Sequence, residues 1–251
     1  MKRILLLYSL LFLTLLSVSF IEAKTPIKTS QIRYEYLGSF KAILGIPKGK
    51  GPFPVIIYSY DEFYDWAGQK LAEKLDYNLK DIAAHYTQKG FVTVIPLERY
   101  RKVNAITGVI NTIKQKKYVQ KNNIHLIGIS EGAFMNILAS QKITGVASIS
   151  CIAPIFINNK GYLSKDFFLL NPIIHSDIPL YFLFVNDVQW RVQNQKRLYH
   201  LLRKHFKNIS YKKYNVKKKW FWYSKHSFNQ DINLFIMKHY NSHYEKSTNT
   251  Y

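Results

Sequence analysis

Cysteine is nearly missing from this chain of 251 residues, where Cys151 stands alone. One thiol cannot close an intramolecular disulfide, so stability must come from a packed core. Cys151 falls in the strand-like run S-I-S-C-I-A, with no glycine turn or helix start directly behind it. It reads as a small buried side chain and not as a nucleophile. Acidic residues are also scarce: 15 Asp and Glu stand against 36 Lys and Arg, a formal net charge of +21. That excess favours anionic surfaces, such as a membrane, a polyanionic polymer or acidic substrates. Lys, Asn, Ile and Tyr are abundant together, so compositional bias accounts for much of it. Zinc-finger spacing, an RNA-binding aromatic motif and a basic helix with base-reading residues are all missing, and no nucleic-acid partner is expected. No internal repeat and no Gly/Ser/Pro-rich linker divides the chain. With 47% hydrophobic residues it can bury one sizeable core.

The first residues read as a targeting segment. Lys2 and Arg3 precede an apolar run over 4–20, and Ile21-Glu22-Ala23 offers a small residue for cleavage. The run is long for a secretory signal, so an uncleaved N-terminal anchor is the alternative. Both readings put the remainder outside the cytoplasm, periplasmic or secreted. The expected division is 1–23 signal or anchor, 24–240 one globular domain, and 241–251 a disordered tail.

Between these ends, strand-like and helix-like patterns alternate, which predicts an α/β domain with a mostly parallel sheet covered on both faces. Residues 33–37 and 40–47 form an opening strand pair. Strands follow at 54–60 (P-V-I-I-Y-S-Y), 91–96, 124–129, 145–153, 179–185 and, more polar and edge-like, 209–214. Helices are expected over 67–88, with Leu71, Leu75, Leu79, Ile82 and Tyr86 near helical spacing, and over 103–119, 188–206 and 228–240. The aromatic-rich stretch 156–176 is irregular and could cap a site.

The most informative segment is 123–137, N-I-H-L-I-G-I-S-E-G-A-F-M-N-I. A strand runs into Gly128-Ile129-Ser130-Glu131-Gly132 and an apolar helix follows. G-x-S-x-G at a strand-to-helix turn lifts a serine hydroxyl above the sheet edge, and its glycines allow close backbone approach. In another context the same five residues would be an ordinary βα loop with an incidental serine. A serine nucleophile needs a base, and the base needs an orienting acid, gathered at the carboxyl ends of parallel strands. Asp187 directly follows the strand P-L-Y-F-L-F-V and is the candidate acid, although an Asp at that junction can also cap a helix. Asp166 and Asp177 precede that strand and fit less well. His226, in Y-S-K-H-S-F between the last strand and the last helix, is the candidate base, and His175 is its competitor. His125 lies inside the nucleophile's own strand and should point into the core or an adjacent layer.

The oxyanion donors are expected to be the backbone N–H groups of Glu131, at a helix start, and Glu62, in the loop Tyr60-Asp61-Glu62-Phe63. Carboxylates beside a developing oxyanion must turn away or pair with cations. Arg99 and Arg101 sit at the right edge of the sheet for that pairing, or for a solvated face. Phe63, Tyr64, Trp66, Trp190, Trp220 and Trp222 supply an aromatic neighbourhood that is either pocket or core. His239 and His243 have i, i+4 spacing without a third ligand nearby, so no metal is expected, and no cofactor.

Elbow, acid and histidine together resemble the α/β-hydrolase superfamily over roughly 40–240, and within it the compact dienelactone-hydrolase-like and acetylhydrolase-like branch. The resemblance implies a three-layer sandwich: a mostly parallel sheet of about eight strands with helices on both faces. It also implies Ser130 as nucleophile, Asp187 as acid and His226 as base in acyl transfer from a small-molecule ester to water. The family pattern has a His-Gly pair after the strand matching 54–60, where this chain has Tyr60-Asp61. Two other readings stand beside the esterase: a catalytically degenerate hydrolase fold that binds a ligand or partner, and a basic envelope-binding protein.

Overall fold

Eight strands form one sheet in the order β1-β2-β4-β3-β5-β6-β7-β8. They are β1 (Thr29–Glu35), β2 (Ser39–Gly45), β3 (Phe53–Ser59), β4 (Val92–Pro96), β5 (Val119–Ile129), β6 (Val146–Ile152), β7 (Leu180–Asn186) and β8 (Ile209–Lys217). The helices are α1 (Glu62–Lys74), α2 (Leu79–Gln88), α3 (Lys102–Ile113), α4 (Glu131–Ser140), α5 (Gln189–Leu202) and α6 (Phe228–Thr248). These come from a computed structural model that describes residues 28–98, 102–156, 176–217 and 228–248. β2 pairs antiparallel with β1 and with β4. The pairings from β4 through β3, β5, β6 and β7 to β8 are all parallel. The expected three-layer sandwich is therefore the observed architecture.

The strands have apolar residues at consecutive positions because both faces are covered. Val55, Ile57, Leu126, Ile149 and Phe182 face one core with Val109, Ile113, Phe134, Leu138 and Leu202, from α3, α4 and α5. Their neighbours Ile56, Tyr58, Ile127 and Leu183 face the other, with Ala72, Ile82, Tyr86, Ile232 and Ile236, from α1, α2 and α6. Cys151 is buried in β6, and burial pushes its thiol pKa well up. His125 is buried in β5, with Nδ1 2.8 Å from Ser148 Oγ and Nε2 2.9 Å from Asn123 Oδ1. It works as a core histidine.

Several boundaries differ from the pattern-based expectation. The helix expected over 67–88 is two helices. Asp76 takes a left-handed φ of 61°, and Asn78 caps α2 by accepting from Lys80 N at 2.9 Å and Asp81 N at 3.3 Å. α1 starts earlier, at Glu62, because Asp61 Oδ1 accepts from Phe63 N at 2.7 Å, and it kinks at Gly68, where φ is 76°. α3 stops at Ile113, and residues from Val119 belong to β5. α6 continues to Thr248, past the expected boundary at Tyr240: N-S-H-Y-E-K-S-T holds no Pro or Gly to stop it, although its apolar spacing has ended. Among the described residues no helix is long and apolar enough to cross a membrane. Residues 1–27 and most of the expected cap, 157–175, lie outside the described residues.

Candidate active site

β5 ends at Ile129 and α4 starts at Glu131, so a single residue, Ser130, makes the whole turn. It does so with φ 58° and ψ −125°, a conformation that L-residues avoid. Its backbone is held on both sides: Ser130 N donates to Ile152 O at 2.8 Å, and Ile155 N donates to Ser130 O at 3.3 Å. The flanking glycines are required by space. A Cβ on Gly128 would stand 2.4 Å from Ala133 Cα, and one on Gly132 would stand 2.4 Å from Ser59 O and 2.5 Å from Tyr60 O. The end of β3 thus lies directly against the turn. Ser59 Oγ also donates to Asn136 Oδ1 at 2.6 Å, tying that end to α4.

Ser130 is fully buried. Its Oγ donates to Glu62 Oε2 at 2.7 Å and accepts from Arg191 Nη1 at 3.3 Å. Arg191 Nη2 also reaches Glu62 Oε1 at 2.9 Å, and Arg191 Nε lies 3.8 Å from Asp187 Oδ2, one helical turn away. The guanidinium packs 4.7 Å over the Trp190 ring. Asp187 follows β7 immediately, and its Oδ1 accepts from Val188 N at 2.8 Å at the start of α5. One arginine therefore touches the proposed nucleophile and reaches toward the proposed acid.

A second charged cluster adjoins the first. Lys102 Nζ is 2.7 Å from Asp65 Oδ2 and 3.1 Å from Glu131 Oε2. It also sits 4.9 Å from the centre of the Tyr60 ring. Tyr60 Oη donates to Asp65 Oδ1 at 2.9 Å. Burial works against the Lys102 charge, but the Glu131 and Asp65 carboxylates outweigh it, and the lysine pKa is raised.

Ser130, Asp187, Glu62 and Glu131 all gather at the carboxyl ends of β3, β5 and β7. Glu62, expected to offer only its backbone N–H, brings its carboxylate onto the serine hydroxyl. Both carboxylates do pair with cations, and these are Arg191 and Lys102. Neither was singled out from the sequence, although Arg191 lies four residues past Asp187 and so shares its helix face. Arg99 and Arg101 lie outside the described residues, as do Asp166, His175, Trp220, Trp222 and His226. His226 falls after β8, which is the strand beside β7. Of the aromatic group, Phe63 and Tyr64 pack against the core, while Trp66 is exposed and meets Phe63 edge-on. His239 packs edge-on against Phe235.

Sheet order, covering helices and a serine on a strained turn after β5 together define the α/β-hydrolase fold. No family model matches the chain, and no curated protein matches it in sequence. Solved structures do match it in fold. A thermophilic carboxylesterase cloned from a metagenomic library, EstE1, superposes with a TM-score of 0.61 at 12% identity, covering 87% of this chain and 90% of that one. A bacterial heroin esterase gives 0.61 at 12% identity, over 92% and 88% of the two chains. The Pyrococcus furiosus esterase PF2001 gives 0.64 at 10% identity, over 86% and 91%. At such identities the shared property is the fold.

Proposed function

We propose that this protein is an exported serine hydrolase that cleaves carboxylic esters through Ser130, His226 and Asp187. One observation carries the reading: Ser130 alone makes the strand-to-helix turn, at φ 58° and ψ −125°, between two glycines that admit no Cβ. A strained conformation held by the surrounding packing is a reservoir that ordinary loops do not need, and it aims a hydroxyl out of the sheet. The order of the strands supports the partners, because Ser130, Asp187 and His226 follow β5, β7 and β8 in turn. The esterases that share the fold support the reaction class. Within the fold we assign the chain to the dienelactone-hydrolase-like and acetylhydrolase-like branch, on the residues that carried that resemblance.

In this reading Ser130 Oγ attacks the ester carbonyl as His226 takes its proton, and Asp187 orients the imidazole. The N–H of Glu131, at the start of α4, and that of Glu62 receive the oxyanion, where each donor is worth about 100- to 1,000-fold in rate. The alcohol leaves with the proton from His226. Water, deprotonated by the same histidine, then releases the acid. Esters are preferred over amides because an alkoxide leaves more readily than an amine. Because the buried Ser130 hydroxyl donates to Glu62 and accepts from Arg191, handing its proton to His226 requires it to leave the Glu62 carboxylate.

Incubation with a fluorophosphonate probe tests the reading. Labelling at Ser130, lost in Ser130→Ala and strongly slowed in His226→Ala, together with turnover of aryl esters, is the expected result. Folded protein that neither labels nor hydrolyses a panel of short- and long-chain aryl esters supports the second reading, a degenerate hydrolase fold that binds without turnover. The carboxylate seated on the Ser130 hydroxyl, and Tyr60-Asp61 in place of His-Gly, are what favour that alternative. The net charge of +21 supports association with an anionic membrane or polymer after export. Salt-sensitive binding to anionic vesicles that persists in Ser130→Ala would show that this association is separate from turnover.

A further inference from the structure

Lysine is among the residues least often buried, yet Lys102 is only 9% exposed at the start of α3. Its ammonium meets three elements at once: Asp65 from α1, Glu131 from α4, and the Tyr60 ring just past the end of β3. A buried ion pair is weak grounds for stability, because an apolar side chain of similar volume often packs there as well or better. Geometry distinguishes this one. Tyr60 and Asp65 bracket Glu62, and Glu131 is the residue after Ser130. The two backbone donors assigned above to the oxyanion therefore sit on two separate segments, and Lys102 holds a side chain from each. Those segments already touch, with Gly132 against the Ser59 and Tyr60 carbonyls. A small shift of one is therefore transmitted to the other.

We propose that Lys102 is a positioning residue for acyl transfer: it clamps the β3–α1 loop carrying Glu62 to the turn carrying Glu131, and it neutralises the Glu131 carboxylate beside the place where negative charge develops. The proposal rests on the serine-hydrolase reading. Oxyanion donors act through placement, and an error of about 1 Å can cost on the order of 100-fold in rate. The attraction between substrate and the rest of the site is untouched, so the effect belongs in kcat and not in KM.

The experiment compares wild type with Lys102→Met, which keeps an unbranched side chain one atom shorter and removes charge, and with Lys102→Arg, which keeps charge. The readouts are aryl-ester kinetics and the fluorophosphonate labelling rate, well below each variant's melting temperature. The expected result is a kcat and labelling rate lowered by between about 10- and 100-fold in Lys102→Met, with KM changed by less than about 3-fold, and partial recovery in Lys102→Arg. If Lys102→Met does not fold, Asp65→Asn cuts one leg of the clamp at constant shape and should lower kcat in the same way. Folded Lys102→Met, or Asp65→Asn in its place, with wild-type kcat and labelling rate overturns the clamp alone, whatever its melting temperature. A wild type inert to probe and esters overturns the esterase reading and the clamp with it.

Discussion

The strain at Ser130 can be measured by comparing two substitutions with each other. Ser130→Ala and Ser130→Gly both remove the hydroxyl, and with it the contacts to Glu62 and Arg191. Those losses cancel in the difference, which leaves the backbone. At an ordinary helical or strand site, glycine is less stable than alanine by about 0.5–1 kcal/mol, because it loses more freedom on folding. At φ 58° and ψ −125° an alanine carries the strain of a disfavoured region, roughly 1–3 kcal/mol, and glycine carries almost none. Subtracting the ordinary glycine cost leaves Ser130→Gly more stable than Ser130→Ala by about 1 kcal/mol, or about 2–4 °C in melting temperature for a chain of this size. Thermal and urea denaturation of the two variants give the number. Lys70, exposed on α1, serves as the control site, where Lys70→Gly should melt below Lys70→Ala. The inverted sign at Ser130 is the test. A Ser130→Gly protein that melts below Ser130→Ala by the ordinary margin would mean the turn is relaxed, and the reading of a serine held under tension would fail.

The remaining expectations concern the frame around that turn and the acid limb of stability. Gly132→Ala places a Cβ 2.4 Å from the Ser59 carbonyl oxygen, where only backbone can give way. It should destabilise the fold by about 1–3 kcal/mol and slow labelling of Ser130, and a variant matching wild type in both would refute the close approach. Asp231 on α6 accepts from Lys212, at 2.7 Å, and from Tyr214, both on β8. Burial would raise its pKa, but those hydrogen bonds outweigh burial and lower it from the usual 3.8. A depressed folded pKa contributes stability that is present above the unfolded value and is lost as pH falls through the folded one. The melting-temperature gap between wild type and Asp231→Asn should therefore begin to narrow as pH falls toward the unfolded carboxyl pKa of about 3.9 and keep narrowing below it, and a gap independent of pH would refute the assignment.

The fold was legible wherever one element carried its own signal. β3 and β7 are nearly continuous apolar runs because helices cover both faces, whereas β5 is largely apolar only in its second half and β6 carries Ser148 and Ser150 among its apolar residues, yet each shows itself without its neighbours. The break between α1 and α2 was hidden by a coincidence of spacing. Leu71 and Leu75 continue the rhythm of Leu79, Ile82 and Tyr86, yet both are more than 40% exposed, whereas Leu79, Ile82 and Tyr86 are buried. An apolar period shows that a helix can form, not that every residue in the run reaches the core. Asn78 held the missing signal, an N-cap asparagine in the middle of the apparent helix.

At the site, legibility divides along the same line. The candidates Ser130, with its two glycines, and Asp187 are picked out by position within a strand-and-turn unit. Glu62 reads as a backbone donor because its loop position is local information. That its carboxylate reaches Ser130 Oγ, and that Arg191 bridges the two, depends on α1 and α5 converging over the end of β5, which no short window of sequence contains. One part of that convergence, the need for cations, is legible from charge alone. Two carboxylates, Glu62 and Glu131, flank one serine if the loop after β3 and the turn after β5 meet. Carboxylates brought together in a sheltered site call for cations among them. In a chain with 36 basic residues, composition could not say which ones. Chain geometry says it: Lys102 opens the helix after β4, the strand beside β3, and Arg191 lies one turn beyond the acid after β7. The two cations stand on opposite sides of the turn and are not interchangeable. The planar fork of Arg191 spans a hydroxyl and two carboxylates, whereas the compact ammonium of Lys102 joins two carboxylates and a ring face. Exchanging their identities would preserve the charge and lose both geometries.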